Sequence, residues 1–264
     1  ESVLEQMSSV LGQKMLKWHY RSRNESLIAF SNKEIYNSQL VTFASANAGR
    51  TDTGVEFVYV ENGVYERGTT RENINEALKV AQFVLRHIRL TPDKSLGVIT
   101  FSATQQAAIE RIILQLRRDN PQIAYFFDEQ RPAAFFVKNL ENVQGDERDT
   151  IIFSIGYAKD SKGNMSMNFG PLSREGGYRR LNVAITRAKY NLKLVSSILP
   201  EDIKVKQNDS DTFPGGVAML KSYMEFVIAM KNASLTPPDI SKQEISDFEE
   251  MIYRLLTDSG YNVV

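Results

Sequence analysis

Ile74, Ala77, Leu78, Ala81, Val84, Leu85 and Ile88 recur at the three- and four-residue spacing of a single helical face. Thr91-Pro92-Asp93 ends that helix, and a short apolar run, Leu96 to Phe101, follows it. A second amphipathic stretch carries Ile109, Ile112, Ile113 and Leu116 and stops near Asn120-Pro121. Further apolar runs occur at Ile123–Phe127, Ala134–Val137, Thr150–Ile155 and Leu192–Val195. Val55–Val60 adds another, followed by the turn residues Glu61-Asn62-Gly63. Short apolar runs alternating with helices predict an α/β fold with a mostly parallel sheet covered on both faces.

Leu220, Tyr223, Met224, Val227 and Ile228 define one more amphipathic helix, in which Met and Tyr read as core packing. Thr236-Pro237-Pro238-Asp239 then marks a boundary. The expected organisation is a main domain over residues 1–233, a linker over 234–240, and the start of another domain over 241–264. In that last piece Ile245, Phe248, Ile252, Leu255 and Leu256 share a helix side, Gly260 caps it, and Tyr261–Val264 opens a strand. A chain that begins at Glu1 and stops at Val263-Val264 reads as a piece of a longer polypeptide.

Composition narrows the classes. Hydrophobic residues make up 42% and charged residues 24%, which is ordinary for a globular protein, and no apolar run has membrane-spanning length. Absence of cysteine removes disulfides, thiolate metal sites and cysteine nucleophiles and agrees with a cytoplasmic address. Lys plus Arg and Asp plus Glu are both 32, so nothing global advertises nucleic acid. Locally the balance shifts: Arg174, Arg179, Arg180, Arg187, Lys189 and Lys193 face only Glu175 in the same stretch.

That stretch lies beside the most specific wording in the chain. Gln144-Gly145-Asp146-Glu147-Arg148-Asp149 resembles motif V of superfamily 1 helicases, and Arg180 to Ala188, RLNVAITRA, resembles their motif VI. Trp18-His19-Tyr20-Arg21-Ser22 resembles the YR motif at the entrance to their second motor lobe. Tyr-Arg alone would read as burial and an ion pair, but three motifs in family order carry more weight. ENVQGDERDTIIFS and NFGPLSREGGYRRLNVAITRA are most similar to large bacterial helicases with a downstream restriction-type (Vsr-like) endonuclease domain, and the residues after 240 resemble that domain's opening helix.

The resemblance implies a RecA-like lobe that shares an ATP site with an upstream lobe. Arg187 takes the arginine-finger position, suited to phosphate because its guanidinium is a fixed fork of donors. Arg21 would reach the terminal phosphate, Tyr20 would stack on the adenine, and Glu147 would accept from the nucleotide sugar. Gly145 removes a side chain where backbone approaches phosphate, with Gln144 supporting the turn. Arg180 lies seven residues before Arg187, about two helical turns, so the two could share a face; a surface ion pair is an equal reading. Asp146-Glu147 precedes an apolar run, unlike the magnesium-holding DExx box, which follows one. Asn73 and Glu76-Ala77 match a structural position of the family.

Single-stranded nucleic acid is the expected partner, with DNA preferred although the sequence does not distinguish it from RNA. Thr100, Phe101 and Ser102 form the strand-to-helix turn that relatives use on the nucleic-acid backbone, with Phe101 offered either to a base or to the core. Asn142, with Glu141, lies near that face or simply makes a turn. No GxxxxGK[ST] occurs: Gly49 to Gly54 has the glycine spacing but is followed by Val55-Glu56. The Walker A wall, and most contacts to ATP and Mg2+, therefore belong to the upstream lobe. The alternatives are a non-enzymatic binding module and a motor that feeds a nuclease.

Overall fold

The structure, a computed structural model, describes residues 7, 11–12, 15–42, 53–205 and 215–235. Five strands form one all-parallel sheet: β1 (Gly54–Tyr59), β2 (Leu96–Thr100), β3 (Phe136–Asn139), β4 (Arg148–Ser154) and β5 (Ala188–Ser196), in the order β1-β5-β4-β2-β3. The helices are α1 (Ser26–Glu34), α2 (Ile74–Leu90), α3 (Ala103–Asp119), α4 (Gly177–Ile185) and α5 (Gly216–Leu235). This is the α/β architecture with a parallel sheet that the alternation of runs and helices predicts.

Period-two alternation along the strands divides the core into two layers. Leu96 and Val98 of β2 and Ile152 of β4 point with Val195 toward Val80, Val84, Ile109 and Ile113 of α2 and α3. Ile99, Ile151, Phe153, Leu192 and Leu194 point the other way, against Leu27 of α1, Leu181 of α4 and Tyr223 and Val227 of α5. A parallel sheet needs both covers, because neither face can be left to water.

One apolar run departs from expectation. Ile123–Phe127 is no strand; it forms part of a 3-10 helix over Pro121–Phe127. Pro121 cannot donate to a ladder but suits a first helical position, and side chains three apart align in a 3-10 turn, which is how Ile123 and Phe126 are both buried. Phe101 is fully buried, its ring stacked on Phe153 at 5.0 Å between centroids, so it belongs to the core and not to a base-binding surface.

Glu76 lies in the first turn of α2 and is completely buried. Its Oε1 accepts from Ser154 Oγ and Gly156 N, both at 2.7 Å. Its Oε2 accepts from Ser197 Oγ at 2.8 Å and Asn73 Nδ2 at 3.4 Å. Asn73 also exchanges two bonds with the Gln105 amide, donating its own N–H at 2.8 Å and accepting at 3.1 Å. The starts of α2 and α3 are thereby fixed to the ends of β4 and β5.

Contacts divide the chain into two units, Glu1–Lys231 and Asn232–Val264, and the sheet belongs to the first. Residues 236–264, with most of the expected linker and the expected endonuclease-like helix, lie outside the described residues, as does most of the Gly49–Gly54 loop. Among the described residues no helix is long and apolar enough to cross a membrane.

Two consequences of this core can be measured. Phe101→Ala should cost about 3–5 kcal/mol in chemical denaturation, because it empties a fully buried ring position. Burial raises the Glu76 carboxyl to about 7, outweighing its four donors. A raised acid pKa means the native state holds the proton more tightly, so this contribution is full below the ordinary carboxyl range and is lost as pH rises toward 7. Glu76→Gln should accordingly lower the melting temperature more at pH near 5 than at pH near 8, read by thermal circular dichroism.

Candidate functional site

Three stretches far apart in sequence meet at the edge where β4 and β5 begin. The backbone N–H of Arg23 donates to Lys189 O at 2.7 Å, and that of Arg148 donates to Arg187 O at 3.2 Å. Trp18 bridges in parallel to Val41, with His19 N donating to Val41 O and Val41 N to Lys17 O. His19 Nε2 lies 2.9 Å from Ser22 Oγ and accepts from Ser22 N, so the segment carrying Tyr20 and Arg21 turns around a local bond set. Burial, with Arg21 nearby, keeps the His19 imidazole below its ordinary range.

The side chains converge on Glu147. Arg21 Nε donates to its Oε2 and Lys189 Nζ to its Oε1, each at 2.9 Å. These bonds, the lysine's first, hold the Glu147 carboxyl below the usual carboxylate range, so it is ionised at neutral pH. Arg21 Nη1 also reaches Thr186 O at 3.5 Å. Arg187 is half-buried, and its Nε donates to Val183 O at 2.6 Å while Nη2 donates to Thr186 Oγ1 at 3.2 Å. Desolvation lowers the Arg187 pKa, and the positive charge of Arg21 adds to that, with Glu147 opposing. Tyr20, next to Arg21 in the chain, is 74% exposed.

Local sequence explains each placement. Gly145 adopts φ +92°, the left-handed region open to glycine, in the turn that delivers Glu147 to the start of β4. Asp146 pairs with Lys138 at 2.6 Å, and with Glu147 held by two cations neither acid is laid out as a metal ligand. At the start of α4, a Cβ on Gly177 would fall 2.0 Å from Leu172 O, so only glycine permits that backbone approach. The helix ends at Ile185, Arg187 closes a turn by donating its N–H to Ala184 O at 3.2 Å, and Lys189 follows in β5.

Arg180 is not drawn into this group. Its Nη1 donates to Glu175 O at 2.9 Å and Pro171 O at 3.4 Å, and because α4 stops before Arg187 the two arginines do not share a helix face. Gln144 and Asn142 are both exposed on the approach to Gly145. Thr100 and Ser102 lie at the opposite end of the strands: Thr100 pairs with Ser154, about seven residues or on the order of 23 Å from Glu147. Thr100 is buried and donates to Ser102 O at 2.9 Å, while Ser102 Oγ caps α3 by accepting from Gln105 N at 3.2 Å. Both hydroxyls thus serve the turn itself.

Lys189, Thr186, Asn182 and Tyr36 join the site although no individual role for them is legible in the sequence. Asn182 Nδ2 donates to the Tyr36 hydroxyl at 3.1 Å, and Thr186 Oγ1 donates back to Asn182 O at 2.9 Å. Lys189 has a signal, its place in the basic stretch from Arg174 to Lys193; Tyr36 has none, because it follows the end of α1.

Residues 1–198 match the family model described as an AAA domain. The chain belongs to this family. Relatives of this AAA domain include the uncharacterized ATP-dependent helicase MG140 of Mycoplasma genitalium, 39% identical over 223 residues, which are 82% of this chain and 18% of that protein. The homologous protein of Mycoplasma pneumoniae is 38% identical over 225 residues, 83% of this chain and 19% of that protein. The chain thus spans less than a fifth of the curated relatives it matches. Among solved structures, the C-terminal domain of a possible DNA helicase from Lactobacillus plantarum WCFS1 is similar at 15% identity and TM-score 0.38, over 67% of this chain and 86% of that one.

Gly145→Ala tests the turn. Nothing lies within 4 Å of a Cβ at this position, so the penalty is conformational alone. A loss of about 1 kcal/mol in urea denaturation, with unchanged slope, is the expected result.

Proposed function

We propose that this AAA domain is the second RecA-like lobe of a superfamily 1 helicase or translocase, completing an ATP site with an upstream lobe of the same polypeptide. The observation that supports this most is the convergence of Arg21, Glu147 and Arg187, with Tyr20 exposed next to Arg21 in the chain, although Arg21 and Glu147 are 126 residues apart. In this reading Tyr20 stacks on the adenine, Glu147 accepts from the ribose, and Arg21 and Arg187 meet the phosphates. Bound ATP supplies the phosphoryl group, and Mg2+, held mainly by the upstream lobe, neutralises part of its charge.

An arginine delivered from a second lobe stabilises the charge that builds as the terminal phosphoryl departs. Arg187 is suited to this role because its Nε is anchored to Val183 O, which fixes the direction of the fork, and partial burial strengthens its field. Gly145, with the exposed Gln144, would let backbone come close to the nucleotide. The single-strand track would run past Ser102 and Asn142, at a distance from the nucleotide that leaves the sheet between them as the rigid link. Closing the two lobes on ATP and reopening them after hydrolysis would advance the strand, DNA in the preferred reading.

ATP hydrolysis by the full-length polypeptide carrying this lobe, with and without single-stranded DNA, tests the proposal. Turnover stimulated by DNA and reduced about 1,000-fold by Arg187→Ala, with the fold intact, is expected. Absence of turnover on DNA or RNA, or full activity in the variant, would sink it.

A further inference from the structure

We propose that Lys189 is a positioning residue that lets Glu147 exchange Arg21 for the sugar hydroxyls of a bound nucleotide, making sugar recognition and release of Arg21 one event. This rests on the nucleotide reading above and deepens it. A carboxylate has two oxygens, and here they have different partners: Oε2 receives Arg21 and Oε1 receives Lys189.

The two cations are mounted differently. Lys189 sits in β5 between two residues paired to β4, Ala188 and Asn191, and its carbonyl accepts from the Arg23 N–H. Arg21 sits in the irregular segment ahead of α1, outside any strand or helix, held by a bridge at Trp18, the short His19–Ser22 turn and that same Arg23 bond, with a long 3.5 Å contact from its Nη1 to Thr186 O. A ligand that competes for Glu147 would therefore displace the arginine and leave the lysine in place.

Charge makes the lysine necessary. With Arg21 gone to the phosphates, Glu147 alone would face a polyanion, and like charges repel. Lys189 keeps the carboxylate neutralised and aimed, with Oε2 open to two neutral hydroxyl donors. Without the lysine both oxygens fall to the Arg21 fork, which can take a carboxylate in two parallel bonds and would stay parked there. Sugar recognition and phosphate contact would then fail together.

Steady-state hydrolysis of ATP and of 2′,3′-dideoxy-ATP by the full-length polypeptide separates the outcomes. The wild type should show a KM about tenfold higher for the dideoxy nucleotide. Lys189→Met and Lys189→Gln should bring that ratio within about twofold and lower kcat for ATP about fivefold, whereas Lys189→Arg should restore the ratio. Using both neutral variants guards against a failure of either to fold. Equal losses with the two nucleotides, leaving the ratio intact, would mark a merely structural lysine and overturn the proposal. Wild-type turnover without sugar preference would overturn it while sparing the motor reading; no wild-type turnover at all would overturn both.

Discussion

Glu147 is the anion around which the edge of the sheet is organised. Arg21, Lys189 and the half-buried Arg187 are gathered within one neighbourhood, and without a carboxylate between them they would repel. Two unit charges 4 Å apart interact by about 4 kcal/mol where the effective dielectric constant is near 20, comparable to a sizeable part of a domain's net stability. Glu147 and Lys189 are 40% and 35% exposed, so solvent screens much of this. The ion pairs are therefore better understood as devices that aim side chains than as supports of the fold. The fold is held by the two apolar layers and by the buried polar ties at the other end of the strands.

That other end obeys opposite rules. Glu76 is sealed from water, and four donors from the N-cap of α2, from β4 and from the segments after β4 and β5 meet its carboxylate. Burial still wins and lifts its pKa, whereas Glu147, half in water between two cations, has its pKa lowered. Two glutamates at opposite ends of one sheet thus have different work. One ties helix starts to strand ends and can carry its proton near neutrality; the other stays charged and reachable. Serine hydroxyls around Glu76 can donate to the carboxylate or accept from the acid, which lets the network survive either state.

Much of this was legible in the sequence because local pattern and global fold agree. The helical spacing from Ile74 to Ile88 and the apolar runs at Leu96 and Thr150 are strong signals, and they fall on α2, β2 and β4. Ile123–Phe127 misled because its residue types suit a strand and only Pro121, just before it, spoke for a 3-10 turn. Phe101 left two readings open in sequence, since a ring after a strand serves either a surface or a core; the stack on Phe153 decides it. Arg180 and Arg187 were paired by a helical count, but the count assumes that the helix continues, and α4 ends two residues before Arg187. Tyr36 could not be read at all. Its contact with Asn182 spans 146 residues, and no spacing rule reports on pairs that only tertiary packing brings together.

The distribution of charge also bears on why one lobe would be only half a site. Arg187 already gives hydrogen bonds to Val183 and Thr186 at the end of α4, and Arg21 is engaged with Glu147. Both arginines are thus satisfied before any ligand arrives, and a phosphate must offer more than the bonds it displaces. Phosphate alone competes against a carboxylate already in place, with the helical contacts of Arg187 to be rearranged as well. Under the proposed function, a nucleotide that stacked on Tyr20, occupied Glu147 and brought its own charge into a cleft closed by another lobe would change every side of that exchange together. Under the proposed function, the ion pairs at the edge of this sheet set a threshold that only the complete nucleotide, gripped from both lobes, would cross.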